Sequence, residues 1–141
     1  MKLTASLDAP CSPEDMFAWV NDLAVYPQWL SIVRDTVPVD GGWRVELQGK
    51  VGPLARSKRL RMVSTTCIPN ERVVFERSET DGRQHAAWTL ASTITPTTTG
   101  CNLVMELGYS GAFWGAVVER LLHQEIEDAK TRLLSLVSDP R

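Results

Sequence analysis

His85 and His123 are the two imidazoles of the chain, and therefore its natural proton carriers near neutral pH. The run His123-Gln124-Glu125-Ile126-Glu127 places His123 and Glu127 at i and i+4 on one helical face. It lacks the second histidine of HExxH, so the zinc-protease reading fails. His85 falls beside Ala86 in a stretch read as strand, and no spacing brings it to His123. Neither a metal site nor a cofactor is expected. His123 is a candidate general base or a plain helix-surface histidine. Arg77 shares a face with Val73 and Phe75, and an interior guanidinium needs a partner. Either it meets an anionic or carbonyl group of a ligand, or it pairs with an internal acid or sits at the strand end in water. Tyr109 falls on an inward face, where its phenol either donates to a bound molecule, acts as an acid, or finds a structural partner. Ser64, Thr65 and Ser92 are lesser polar candidates. Nucleophile elbow, P-loop, dinucleotide fingerprint and paired-carboxylate motifs are all missing from the sequence.

These residues must be positioned by three kinds of element. Leu3, Ala5 and Leu7 alternate with Thr4, Ser6 and Asp8, which predicts a half-buried strand ending at Pro10. Ser12-Pro13-Glu14-Asp15 supplies an N-cap, a proline at the first helical position and acids in the first turn. A short helix through Met16, Phe17, Trp19 and Val20 follows, then a second short one opened by Asn21-Asp22 and stopped near Pro27. From Ile32 to Tyr109 the period is two, with turns at Asp40-Gly41-Gly42, Gly52-Pro53, Pro69-Asn70, Asp81-Gly82 and 96–100. Such short connections imply an antiparallel meander. Alternation alone does not orient the run from Arg56 to Cys67. Leu60 and Met62 lie on one side of it, and Arg59, Arg61, Val63 and Thr65 on the other. After Ser110-Gly111 the period becomes 3.6 and holds to about Val137. Trp114, Val118, Leu122, Ile126, Ala129, Leu133 and Leu136 form its stripe. A helix of that length, near ~38 Å, must cross strands of about 30 Å diagonally.

Composition narrows the function classes. The chain has 141 residues, 43% hydrophobic and 23% charged, which fits one domain over residues 1–141. Lys plus Arg is 15, Asp plus Glu is 17 and the net charge is −2, so no nucleic-acid partner is expected. The basic cluster Arg56, Lys58, Arg59 and Arg61 splits between both faces of a strand and reads as a solvated strand paired to acids on its neighbours. If Arg59 and Arg61 face inward, they join Arg77 as a clamp for an anionic ligand. Cys11, Cys67 and Cys101 lack CxxC spacing and read as free thiols of a reducing compartment. With no apolar h-region or spanning run, a cytoplasmic protein without stable membrane insertion is expected. Five tryptophans, against three Phe and two Tyr, offer broad apolar walls.

Several local phrases carry a resemblance. They are Ala9-Pro10 with Ser12-Pro13-Glu14-Asp15-Met16-Phe17, Asn21-Asp22-Leu23 with Tyr26-Pro27-Gln28-Trp29, and Val63 followed by Pro69-Asn70-Glu71-Arg72-Val73-Val74-Phe75. With the element order, they resemble the SRPBCC superfamily, the START/Bet v 1-like helix-grip proteins. The bacterial polyketide cyclase/dehydrase-like branch is the nearest part of it, and the resemblance runs from Leu3 to Val137. It implies an α+β helix-grip fold: a seven-stranded antiparallel sheet curled around the long C-terminal helix, with a cavity between them. The ligand-facing set expected from alternation is Trp43, Val45, Leu47, Phe75, Arg77, Trp88, Leu90, Met105, Leu107 and Tyr109, with Phe113, Val117 and Leu121 from the helix. Trp29 joins them because this region lines a cavity mouth in related folds. The leading expectation is binding or transport of a hydrophobic or amphipathic, lipid- or polyketide-like molecule. One alternative is a metal-free polyketide cyclase/dehydrase-type enzyme, with Arg77 stabilising an enolate and Tyr109 or His123 moving the proton. The other is a regulatory, antitoxin-like domain that uses its surface for a protein partner. Oligomeric state is left open.

Overall fold

The computed structural model describes the backbone of residues 2–51 and 54–138. It describes their side chains except those of residues 50, 51, 54, 56, 112–118, 121 and 122. The elements run β1 (Lys2–Ala9), α1 (Pro13–Val20), a 3₁₀ helix (Leu23–Gln28), β2 (Val33–Val39), β3 (Gly42–Val51), β4 (Leu54–Ile68), β5 (Arg72–Arg77), β6 (Trp88–Thr97), β7 (Gly100–Tyr109) and α2 (Ala112–Val137). Among the described residues the strands form one seven-stranded sheet in the order β1-β7-β6-β5-β4-β3-β2. Every neighbouring pair is antiparallel. This is the helix-grip architecture.

Local chemistry accounts for the boundaries. The Ser12 side chain accepts from the Asp15 N–H at 3.1 Å, and Pro13 follows the cap. Asp22 caps the 3₁₀ helix by accepting from the Ala24 N–H at 2.9 Å. Gly41 turns β2 into β3 at φ +79, a left-handed conformation in which a side chain would be strained. Helix α2 spans the whole of the 3.6-period segment and ends at Ser138, whose N–H donates to the Leu134 carbonyl.

The core contains a tightly packed aromatic group. Met16, Val20, Tyr26 and Phe75 are fully buried. Tyr26 meets Phe75 edge-on at 6.3 Å and Trp29 at 4.7 Å, while Trp43 meets Phe75 edge-on at 5.5 Å. The Tyr26 hydroxyl donates to the Val20 carbonyl at 2.8 Å, locking the 3₁₀ helix to α1. In turn α2 is tied to that segment: Arg132 donates to the Trp29 carbonyl at 3.3 Å, and Ser31 donates to Glu125 at 3.0 Å. Ala129 and Leu133 are buried beneath α2. His85 and Ala86 lie in the loop between β5 and β6 rather than in a strand. The strand starts at Trp88, because Arg77 and Asp81 take up the loop's polar groups instead of a ladder.

Candidate functional site

The parity of β4 decides which cations face the sheet's concave side. In the β3–β4 register, Val45 pairs with Leu60, Trp43 with Met62 and Leu47 with Lys58. Leu60 and Met62 are buried, so alternation puts Lys58 on their face. Arg59 and Arg61 therefore face away, contrary to the inward clamp. Arg59 is exposed and reaches Glu46 at 3.3 Å. The Arg61 guanidinium donates to the carbonyls of Ser78 and Asp40, both at 2.8 Å. The side chain of Arg56 lies outside the described residues.

Between the concave face and α2 lies a cavity of about 160 Å³. A dry apolar cavity of roughly 150 Å³ holds a benzene-sized molecule, so a single ring or a short chain fits this space. Leu103, Met105 and Leu107 of β7, Leu60 and Met62 of β4, and Val45 and Leu47 of β3 form its sheet wall. Ile126, Ala129, Lys130 and Leu133 of α2 lie opposite. Leu23, Tyr26, Trp29, Leu30, Ile32 and Val33 close one side, and residues 3–7 of β1 close the other. Because β1 is an outer strand, five consecutive residues border the space, not only its inward-facing ones.

Of the residues expected to face a ligand, the structure puts Trp29, Val45, Leu47, Trp88, Leu90, Met105 and Leu107 on this wall. Trp43, Phe75, Arg77 and Tyr109 are not among its lining residues. Trp43 and Phe75 are packed edge-to-face against each other, and Tyr109 is buried against Trp88 at 4.4 Å. The Tyr109 ring also folds back over Gly111, where a Cβ would collide with its hydroxyl. The side chains of Phe113, Val117 and Leu121 lie outside the described residues. Alternation overlooked the contributions of β1 and of the non-periodic segment Tyr26–Val33. The alternating Leu3, Ala5 and Leu7 were the signal for the first of these.

Arg77 is engaged by its own neighbours. Its Nε donates to Glu79 at 2.7 Å, and the Arg77 side chain is only 7% exposed. One terminal nitrogen donates to the Ala86 carbonyl and the other to His85 Nδ1, each at 3.3 Å. His85 Nε2 faces the Asp81 carboxylate at 2.9 Å, which fits a proton on Nε2 and a lone pair on Nδ1 toward Arg77. Burial alone would raise the Glu79 carboxyl. The Arg61 N–H, the Arg77 hydrogen bond and the Arg77 charge outweigh it and hold Glu79 below the usual carboxylate range. Of the possibilities for Arg77, the structure has the internal acid. His123 is exposed on α2, with Glu119 rather than Glu127 nearby at 3.9 Å.

Among the described residues, two buried polar atoms, Trp88 Nε1 and Ser92 Oγ, make no regular hydrogen bond. Ser92 lies near enough to the Tyr26 hydroxyl to favour its ionised form slightly, but burial dominates and pushes the Tyr26 phenol well above its ordinary value. The phenol stays neutral.

The family model described as "Polyketide cyclase / dehydrase and lipid transport" matches residues 1–137. The chain belongs to this family. No curated protein matches it. Solved structures share its fold at low identity. A START superfamily protein from Mycobacterium smegmatis is 16% identical, with a TM-score of 0.70 and 97% of each chain covered. An AHSA1 protein from Silicibacter pomeroyi is 19% identical, with a TM-score of 0.64 and 98% of each chain covered. The di-domain ARO/CYC protein BexL of the BE-7585A biosynthetic pathway is 14% identical, with a TM-score of 0.69. All of this family member aligns with BexL, but it spans 51% of that chain. Among the described residues no helix is long and apolar enough to cross a membrane.

Proposed function

We propose that this family member binds a small hydrophobic or amphipathic molecule in the cavity between its sheet and α2. The observation that carries the reading is the cavity itself: about 160 Å³, walled mainly by Leu, Ile, Val, Met and Trp side chains from sheet, 3₁₀ helix and α2. Apolar walls with few polar groups suit ligand burial. The family description names both cyclase/dehydrase chemistry and lipid transport, and the BexL likeness keeps the enzyme reading in view. Binding is favoured because the groups nominated for the enzyme reading are engaged elsewhere. Arg77 is held by Glu79, Tyr109 packs against Trp88 and is not among the lining residues, and His123 lies at the surface.

Native mass spectrometry of freshly purified protein, followed by calorimetric titration with short aliphatic and single-ring compounds, tests the proposal. A retained small molecule, or saturable binding lost in Leu47→Trp, supports it. Absence of both would remove it. Turnover of a β-keto ester sensitive to Arg77→Met would replace it with the enzyme reading.

A further inference from the structure

The concave face carries one described cation for which the fold supplies no counter-ion. Lys58 follows the parity of Leu60 and Met62 and pairs across the sheet with Leu47. All three of those neighbours line the cavity. Two residues along a strand cover about 7 Å, comparable to the length of an extended lysine side chain. Lys58 is not itself among the lining residues; it adjoins them on the same face, within reach of a molecule that extends beyond the apolar wall. It is partly buried, and no carboxylate lies within ion-pair distance of it among the described residues.

The surrounding charges sharpen this. Arg77 and Glu79 neutralise each other at 2.7 Å, and Asp81 is engaged by the His85 Nε2 at 2.9 Å. Lys58 is thus the cation of this region left without an ion-pair partner among the described residues. Burial first, and the Arg77 cation second, push its pKa below the ordinary lysine value, with Glu79 opposing only in part. A negative group beside Lys58 would offset both penalties with a favourable charge of its own.

Resting on the reading of the cavity as a ligand site, we propose that Lys58 forms a carboxylate subsite at the cavity's edge, so that the molecule bound is a monoanionic acid with a short apolar body. Among the described residues, one unmatched cation fits one negative charge. A dianion would place a second charge beside Glu79. The apolar body would lie along Leu47, Leu60 and Met62, and the carboxylate would accept from the Lys58 ammonium in a charge-assisted hydrogen bond.

Calorimetric titration at pH 7.5 with octanoate and with methyl octanoate separates the two claims, because the ester keeps the chain and loses the charge. The wild type should bind octanoate about tenfold more tightly than the ester. Lys58→Met should abolish that preference with ester binding unchanged, and Lys58→Arg should retain it. Thermal unfolding of both variants checks that they are folded. Equal binding of acid and ester by the wild type, or an undiminished preference in Lys58→Met, overturns the carboxylate subsite and leaves the cavity reading standing. If neither probe binds, the cavity reading fails and the subsite falls with it.

Discussion

Arg77 Nε and Glu79 Oε2 are 2.7 Å apart at the end of β5, and the same carboxylate oxygen accepts from the Arg61 N–H at 3.0 Å. The chain has left the sheet at this point, so the Glu79 side chain takes a backbone donor that β5 would otherwise have paired. One acid thus neutralises an interior guanidinium and seals the end of a ladder.

Removing that acid should be costly. Glu79→Gln leaves Arg77 buried without its charge partner, and we expect a loss of about 2–4 kcal/mol in denaturant unfolding. The double variant Glu79→Gln with Arg77→Met should recover part of it, since no charge is then stranded. A double variant less stable than Glu79→Gln alone would contradict the pairing.

The same contact sets an acid limb. Glu79 is held below its ordinary value in the fold, so the folded state binds its proton less readily than the unfolded chain. Its stabilisation is complete above the ordinary glutamate range, near pH ~4.3, and is lost as pH falls through the depressed folded value. Thermal unfolding from pH 7 down to pH 3 should show a decline that is shallower in Glu79→Gln.

Leu133, 2% exposed on the cavity side of α2, tests the packing. Leu133→Ala should cost about 3 kcal/mol and enlarge the cavity. Its ligand preference should move toward a longer chain or a substituted ring in the titrations described above.

The three cysteines should separate by reactivity. Cys67 is exposed, whereas Cys11 and Cys101 are buried with their sulfurs 3.9 Å apart. Burial, then the neighbouring Cys101, pushes the Cys11 thiol up to about 12, and burial raises Cys101 as well. Thiolate is the reactive species. A thiol reagent at pH 8 should modify Cys67 quickly and the other two only on unfolding. Rapid labelling of Cys11 in folded protein would contradict the packing of α1 against β7.

The fold was legible because its signals are local: the Ser12 cap, the alternation of Leu103 to Tyr109, and the change of period after Gly111. The site was less so. Both faces of β4 carry cations, so parity could not be read until Leu60 was seen opposite Val45. Tyr26, Leu30 and Ile32 reach the cavity from a 3₁₀ helix and the turn after it, where no period marks an inward face. Trp43 and Phe75 have the right parity for the wall, but they pack edge-to-face against each other and are not among the lining residues. Glu79 was findable, standing two residues beyond Arg77 and so on the same side of an extended chain.

The cavity beneath α2 also bears on how the protein keeps its shape. Were it unfilled, a cavity of that kind would forgo about 24 cal/mol per Å³, which for about 160 Å³ amounts to ~4 kcal/mol. That is a large fraction of the 5–15 kcal/mol typical of a whole domain. A bound molecule at a hundred times its dissociation constant returns about 2.7 kcal/mol. The melting temperature of this domain should therefore act as a gauge of occupancy, and its lifetime against proteolysis should lengthen when the cavity is filled.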